Sequence, residues 1–322
     1  MGSGTSDVAA LRRLDHLIWT MIAAVAAIVL AAPLVSSFHI VWPSFGAPVA
    51  ACLLLVAGAW FYGNWRHDPK LASGLQCTAQ VIAFAAVGAP LSYLAAGASA
   101  AFPLQDHAFD VADRALGFDW MAVLDWMNEM PTTFALLRLV YGSLTLQMAL
   151  AVLCLAFAGR LLWLRTYTLA FLLAALITIV VSALLPASGV WLHYGLTEAD
   201  SPHVVPGVST VWPVFTGLRD GSVRTLVATD AEGVITFPSL HSALAVIMIA
   251  ALWPIPIVRW IVLLLNVAML AATPIDGSHY LTDVIAGVAV AAVSFVAAGV
   301  IVRRAKRDAA PSAALPRLAR SD

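Results

Sequence analysis

Charge is scarce in this chain. Only 11% of its 322 residues are Asp, Glu, Lys or Arg, against roughly 25% in soluble globular domains. That deficit excludes an ordinary soluble enzyme. It also excludes an intrinsically disordered protein, which combines high charge with low hydrophobicity. Basic residues are not in surplus, the formal net charge being −1, so a nucleic-acid binder is excluded as well. No lysine occurs between Lys70 and Lys306. Cysteine is limited to Cys52, Cys77 and Cys154, all within apolar stretches, which leaves no disulfide framework and no thiolate metal cluster. What fills the chain is hydrocarbon: 61% of residues are apolar and the mean hydropathy is +0.91. Such a chain is a multi-pass membrane protein, with the bilayer as its main partner.

A membrane helix needs about 20 apolar residues. Qualifying runs lie at 17–38, 46–63, 76–98, 139–159, 166–186, 238–253, 257–275 and 284–302, so the expected fold is an all-α polytopic bundle of about eight transmembrane helices. Trp253-Pro254-Ile255-Pro256 breaks spans six and seven into a tight hairpin, since neither proline can continue a helix. Lys and Arg concentrate on the cytoplasmic side of membrane proteins. With the N-terminus inside, 13 of the 17 basic residues fall on the inner side and 13 of the 18 acidic ones on the outer. Both termini are therefore expected in the cytoplasm. The Ala-rich composition and short loops point to a bacterial inner membrane.

The chain then divides into a cytoplasmic leader (1–15), two accessory transmembrane helices (16–70), a catalytic membrane core (71–302) and a basic, disordered cytoplasmic tail (303–322). Two outer segments of the core are not spans. Residues 104–130 alternate acids with apolar residues at helical spacing and predict two short surface helices, Asp119 capping the second. Residues 187–237 form a long outer loop rich in Gly, Pro and Trp, and loops of that length are often functional.

Ionisable residues at the mouths of membrane helices are functional candidates, because placing them there is costly. Two clusters qualify: Phe237-Pro238-Ser239-Leu240-His241-Ser242 opens span six, and Gly277-Ser278-His279-Tyr280-Leu281-Thr282-Asp283 opens span eight. Pro238 suits a first helical turn and Ser278 an N-cap. One membrane hairpin separates the histidines, so both return to the same outer face. His279 and Asp283 are i and i+4 and share one side of a helix. The carboxylate can hold one ring nitrogen and leave the other free to attack or to bind a metal. Two converging helix N-termini also offer an anion site. Histidine, oriented histidine and anion site together point to phosphoryl transfer.

Pro238-Ser239-Leu240-His241 and His279-x-x-x-Asp283 resemble the second and third signatures of the type 2 phosphatidic acid phosphatase superfamily. The stretches are more similar to its inositol phosphorylceramide synthase branch (inositolphosphotransferases of lipid metabolism), as is the run from Leu218 to Leu226. The resemblance covers roughly residues 130–302 and implies a six-helix phosphatase-like core. It also implies roles: His279 as the nucleophile that becomes phosphohistidine, Asp283 as its orienting carboxylate, and His241 as proton donor to the leaving oxygen and then activator of the acceptor. Ser239 and Ser278 would hold phosphate oxygens. No metal or other cofactor is implied.

The sequence departs from the phosphatase members of that superfamily. Ala272-Thr273 stand where they have Ser-Arg, Leu240 where they have Gly, and the Lys of their first signature has no counterpart. Arg219 and Arg224 are the candidates to replace those cations. A phosphomonoester dianion benefits from several Arg or Lys contacts, so fewer cations favour a phospholipid diester as substrate. The expected function is lipid phosphotransfer or phosphatase action at the non-cytoplasmic face. The alternatives are a phosphatase of lipid or polyprenyl monoesters, a metal-dependent hydrolase using the same three residues, and a lipid transporter without catalysis.

Overall fold

A computed structural model describes residues 2–34, 36–197, 199–206, 211–230 and 233–310. In chain order its helices are α1 (Gly2–Ala31), α2 (Gly46–Asn64), α3 (Pro69–Ala98), α4 (Asp106–Ala115), α5 (Trp120–Asn128), α6 (Pro131–Gly142) and α7 (Leu144–Phe157). There follow α8 (Leu161–Leu184), α9 (Val190–His193), α10 (Val211–Asp220), α11 (Leu240–Leu252), α12 (Val258–Asp276) and α13 (Leu281–Ala309). Strand among the described residues is confined to one parallel pairing, His39–Ile40 (β1) with Thr225–Leu226 (β2). The fold is an all-α polytopic bundle.

Among the described residues six helices are long and apolar enough to cross a membrane: α1, α2, α3, α8, α12 and α13. Taken as one span, α6 and α7 make a seventh, bent by 48° at the break after Gly142. The expected sixth span is α11, and it has only 13 residues. At 1.5 Å per residue it reaches about 20 Å, short of a hydrocarbon core of ~30 Å. α11 thus stands in the place of the expected sixth span as a shorter apolar helix, beside the seven that are long enough. Its two ends explain the length, because Ser239 caps one and the two prolines after Trp253 close the other.

The leader and tail also differ from expectation. Residues 2–15 form the first turns of α1, with Ala10 and Leu14 buried, and residues 303–309 continue α13. The rest of the expected tail, 311–322, lies outside the described residues. Of the two helices expected to be accessory, α2 packs chiefly on α3, whereas α1 packs on α3, α8 and α13. Leu14, Ile18, Ile22, Val25 and Val29 make its buried stripe, at the spacing an α-helix needs to keep one face inward.

At the centre is α8, touching α1, α3, α7, α11 and α13. Arg165 sits inside this helix rather than in a loop. Its guanidinium forks onto the Asp15 carboxylate at 3.1 and 2.8 Å, and the Gln80 amide donates to the same carboxylate at 3.1 Å. At one end of the bundle Lys306 Nζ of α13 lies 3.1 Å from Asp7 of α1, so the two ends of the described chain lie together. The helices α4, α5, α9 and α10 gather at the other end, where both histidine motifs lie.

Candidate active site

Each histidine is placed by a helix start. Ser239 is the N-cap of α11, its Oγ accepting from the Ser242 N–H at 3.3 Å, so His241 is the second helical residue. Pro238, expected inside the first turn, precedes the cap. Tyr280, not Ser278, is the N-cap of α13. Ser278 lies two residues earlier with φ of 52°, and its Oγ accepts from the Trp191 N–H at 2.9 Å. Glycines let the two motifs approach. A Cβ on Gly287 of α13 would lie 2.4 Å from the Ser239 carbonyl oxygen. On Gly277 it would lie 2.6 Å from both the His279 ring and the Tyr141 hydroxyl.

His279 Nδ1 is 2.9 Å from Asp283 Oδ2, and the same carboxylate oxygen accepts from the Tyr280 N–H at 3.1 Å. Asp283 is fully buried and His279 nearly so. Burial lowers the His279 pKa to about 4, while a hydrogen bond with the Thr236 backbone works the other way. The imidazole is therefore neutral near pH 7. Nδ1 is the ring nitrogen held by Asp283, which leaves Nε2 as the nitrogen for chemistry. His241 stacks flat against Tyr141, ring centroids 4.2 Å apart and planes inclined by 12°.

Both histidines line one cavity of about 570 Å³. Ser188, Trp212, Thr236 and Ser278 border it at the same end, and no Lys, Arg, Asp or Glu lines it among the described residues. Asp283 stands behind His279. Ser239 is fully buried in its capping role and is not among the residues lining the cavity.

Arg219 and Arg224 lie elsewhere. Arg219 donates to the Ser99 carbonyl at 2.7 Å, the Ser99 hydroxyl at 2.9 Å and the Phe102 carbonyl at 3.0 Å, closing the end of α3. Arg224 donates to the Ser37 hydroxyl. Both line a second cavity, of about 520 Å³. The cause is the turn after α10, where Gly221 adopts φ of +80° and the chain leaves to pair β2 with β1. Neither arginine lines the cavity that holds the histidines.

Three further residues shape the site and were not legible in the two motifs. Tyr141 is one. The others are Asp106 and Asp113, one face of α4. Asp106 accepts from the Ser188 and Gly189 N–H groups and the Tyr280 hydroxyl, each at 3.0 Å. Asp113 accepts from the Leu281 N–H at 2.6 Å, the Thr282 N–H at 2.8 Å and the Thr282 hydroxyl at 2.6 Å. The start of α13 is thus occupied by protein carboxylates and is not an anion site. The seven-residue spacing of the two acids was the available signal, since such residues share a helix face. Among the described residues no group of three His, Cys, Asp or Glu side chains has a metal-binding arrangement.

A family model described as PAP2 superfamily matches residues 107–297, more than half of the chain. The chain belongs to the PAP2 superfamily. It is an integral membrane protein and a phosphatase-type enzyme, of the lipid phosphatase and phosphotransferase kind. No curated protein and no solved structure matches it.

Proposed function

We propose that the protein transfers or releases a phosphoryl-bearing group of a membrane phospholipid through a phosphohistidine at His279, with a phosphodiester as preferred donor. The observation that carries this is His279, held by the buried Asp283 carboxylate and sharing with His241 a cavity that no Lys or Arg lines among the described residues. His279 Nε2 attacks phosphorus, and the bond from phosphorus to the leaving oxygen breaks. His241 gives that oxygen a proton. Asp283 steadies the imidazolium that forms. In the second half, His241 takes the proton of a water or lipid hydroxyl, the acceptor oxygen attacks phosphorus, and the P–N bond breaks. A monoanionic diester needs less positive charge than a dianionic monoester, and the cavity offers little. The motif similarity to inositolphosphotransferases supports a transferase within this class. The basic bias of the sequence supports a site on the non-cytoplasmic, periplasmic face of a bacterial inner membrane.

The test incubates purified protein with phospholipid diesters and monoesters and identifies the products by mass spectrometry. We expect diester turnover and an acid-labile phosphoenzyme, both lost in His279→Ala. A monoester preference above about tenfold, ~1.4 kcal/mol in the transition state, would reverse the donor assignment. Normal activity in His279→Ala would remove the mechanism. Activity lost to chelator and restored by zinc would transfer the three residues to a metal.

A further inference from the structure

The cavity does not stop at the histidines. One wall is α3, contributing Phe84, Gly88 and Ser92, and another is α8, contributing Phe171, Ala175 and Ile179. Both helices begin at the end of the bundle where the chain termini meet, so decreasing residue number on either leads away from the histidines. Ser92 to Phe84, and Ile179 to Phe171, are each eight residues, about 12 Å at 1.5 Å per residue. Phe84 and Phe171 meet edge to face at the far end, ring centroids 5.5 Å apart, and both are buried. Gly88 keeps the space above the Phe84 ring clear, since a Cβ there would come within 3.3 Å of it. The wall supplied by α3 lies outside the family-matched residues 107–297.

Resting on the lipid reading of the site, we propose that this slot holds one hydrocarbon chain of the substrate and that the Phe84–Phe171 pair closes it, setting the chain length the enzyme prefers. With C–C bonds of ~1.5 Å an extended alkyl chain advances about 1.25 Å per carbon, so ~12 Å accepts about ten carbons below the phosphate. An apolar slot with polar groups at one end is the usual form of a small-molecule site. Its occupant places a phosphate beside His279 and a tail against the two rings.

The experiment uses two homologous series. Alkyl 4-nitrophenyl phosphates with tails of four to sixteen carbons report turnover by nitrophenolate release. Alkylphosphonates of the same lengths, which have no ester bond to cleave, report binding to His279→Ala protein through tryptophan fluorescence, Trp212 lining the cavity. In both series affinity should rise roughly fourfold per methylene and level off near ten carbons. Phe171→Ala should move the break to longer tails. Ala175→Leu should move it to shorter ones, lowering the ratio of twelve-carbon to four-carbon affinity at least tenfold. Opposite shifts from two variants cannot both come from misfolding. Phosphonate affinity that is independent of length, or a break that neither variant moves, overturns the slot. Length-dependent phosphonate binding with no nitrophenolate released from any ester by the wild type supports the slot and removes the proposed reaction.

Discussion

The Ser239 N–H donates to the Asp283 carbonyl at 3.1 Å. A residue of the first motif is thereby bonded to the carboxylate-bearing residue of the second, across 44 positions of chain. Whatever moves α13 moves His279 and Asp283 relative to His241 together.

Gly287 is the contact that permits this bond. An added methyl at 2.4 Å from the Ser239 oxygen cannot be absorbed by a side-chain rotation, because the obstacle is backbone. Gly287→Ala should cost about 1–3 kcal/mol, the range for overpacking, and reduce kcat more than tenfold by separating the histidines. Thermal unfolding in detergent and steady-state rates measure the two effects. Wild-type kcat would mean that the helix approach does not set the site.

Asp113 closes the first turn of α13 from a helix more than 160 residues away in sequence. Removing a cap costs typically about 1 kcal/mol. Asp113→Ala should therefore lower the unfolding temperature and also depress kcat, since Tyr280 and His279 immediately precede that turn. Asp113→Asn retains one acceptor and should recover part of both losses. Equal kcat in the alanine and wild-type proteins would reduce α4 to a mere cover.

Burial moves the His279 pKa downward, to about 4, so the neutral and nucleophilic form persists well below the ordinary value of about 6.5. With a nitrophenyl ester, whose leaving group needs no proton from His241, the acid limb of kcat/KM should stay flat as pH falls through 6.5 and drop only as pH approaches 4. Stability follows the same sign. The unfolded chain takes up the proton before the native one does, so the contribution of the neutral buried ring is present above about 6.5 and is lost as pH falls toward 4. A kcat/KM limb centred near 6.5 would show that His279 titrates as an exposed histidine.

Arg219 holds carbonyls at the end of α3, and its loss should act on folding. Arg219→Ala should lower the unfolding temperature while leaving KM for a phosphodiester within about twofold. Arg224→Ala should likewise spare KM. A KM increase above tenfold in either, without a change in unfolding temperature, would return these arginines to the phosphate.

The two histidine motifs were legible because helix starts and an i,i+4 pair are local chemistry. The side of the bundle on which they meet followed from one hairpin. Their surroundings were not local. Tyr141 reaches His241 from a helix bent at Gly142, and a period count reads that pair as one uniform span. Asp106 and Asp113 read as the wet face of a surface helix, although they are its buried face. Arg219 and Arg224 carried the right charge at the right end of the chain path, but a left-handed turn at Gly221 sends the second of them to Ser37. The shortness of the sixth span was not legible, because an apolar run does not reveal where a cap will cut it.

The fork between Arg165 and Asp15 also bears on how much of the chain is needed. The family-matched stretch begins at residue 107, well after α1. A protein trimmed to that stretch would keep Arg165 inside the bundle and lose the carboxylate that neutralises it, a change that costs about 3–5 kcal/mol when one partner of a buried pair is removed. That is a large share of the whole stability of an average domain. The first helix serves the family-matched part of the chain as a counter-ion.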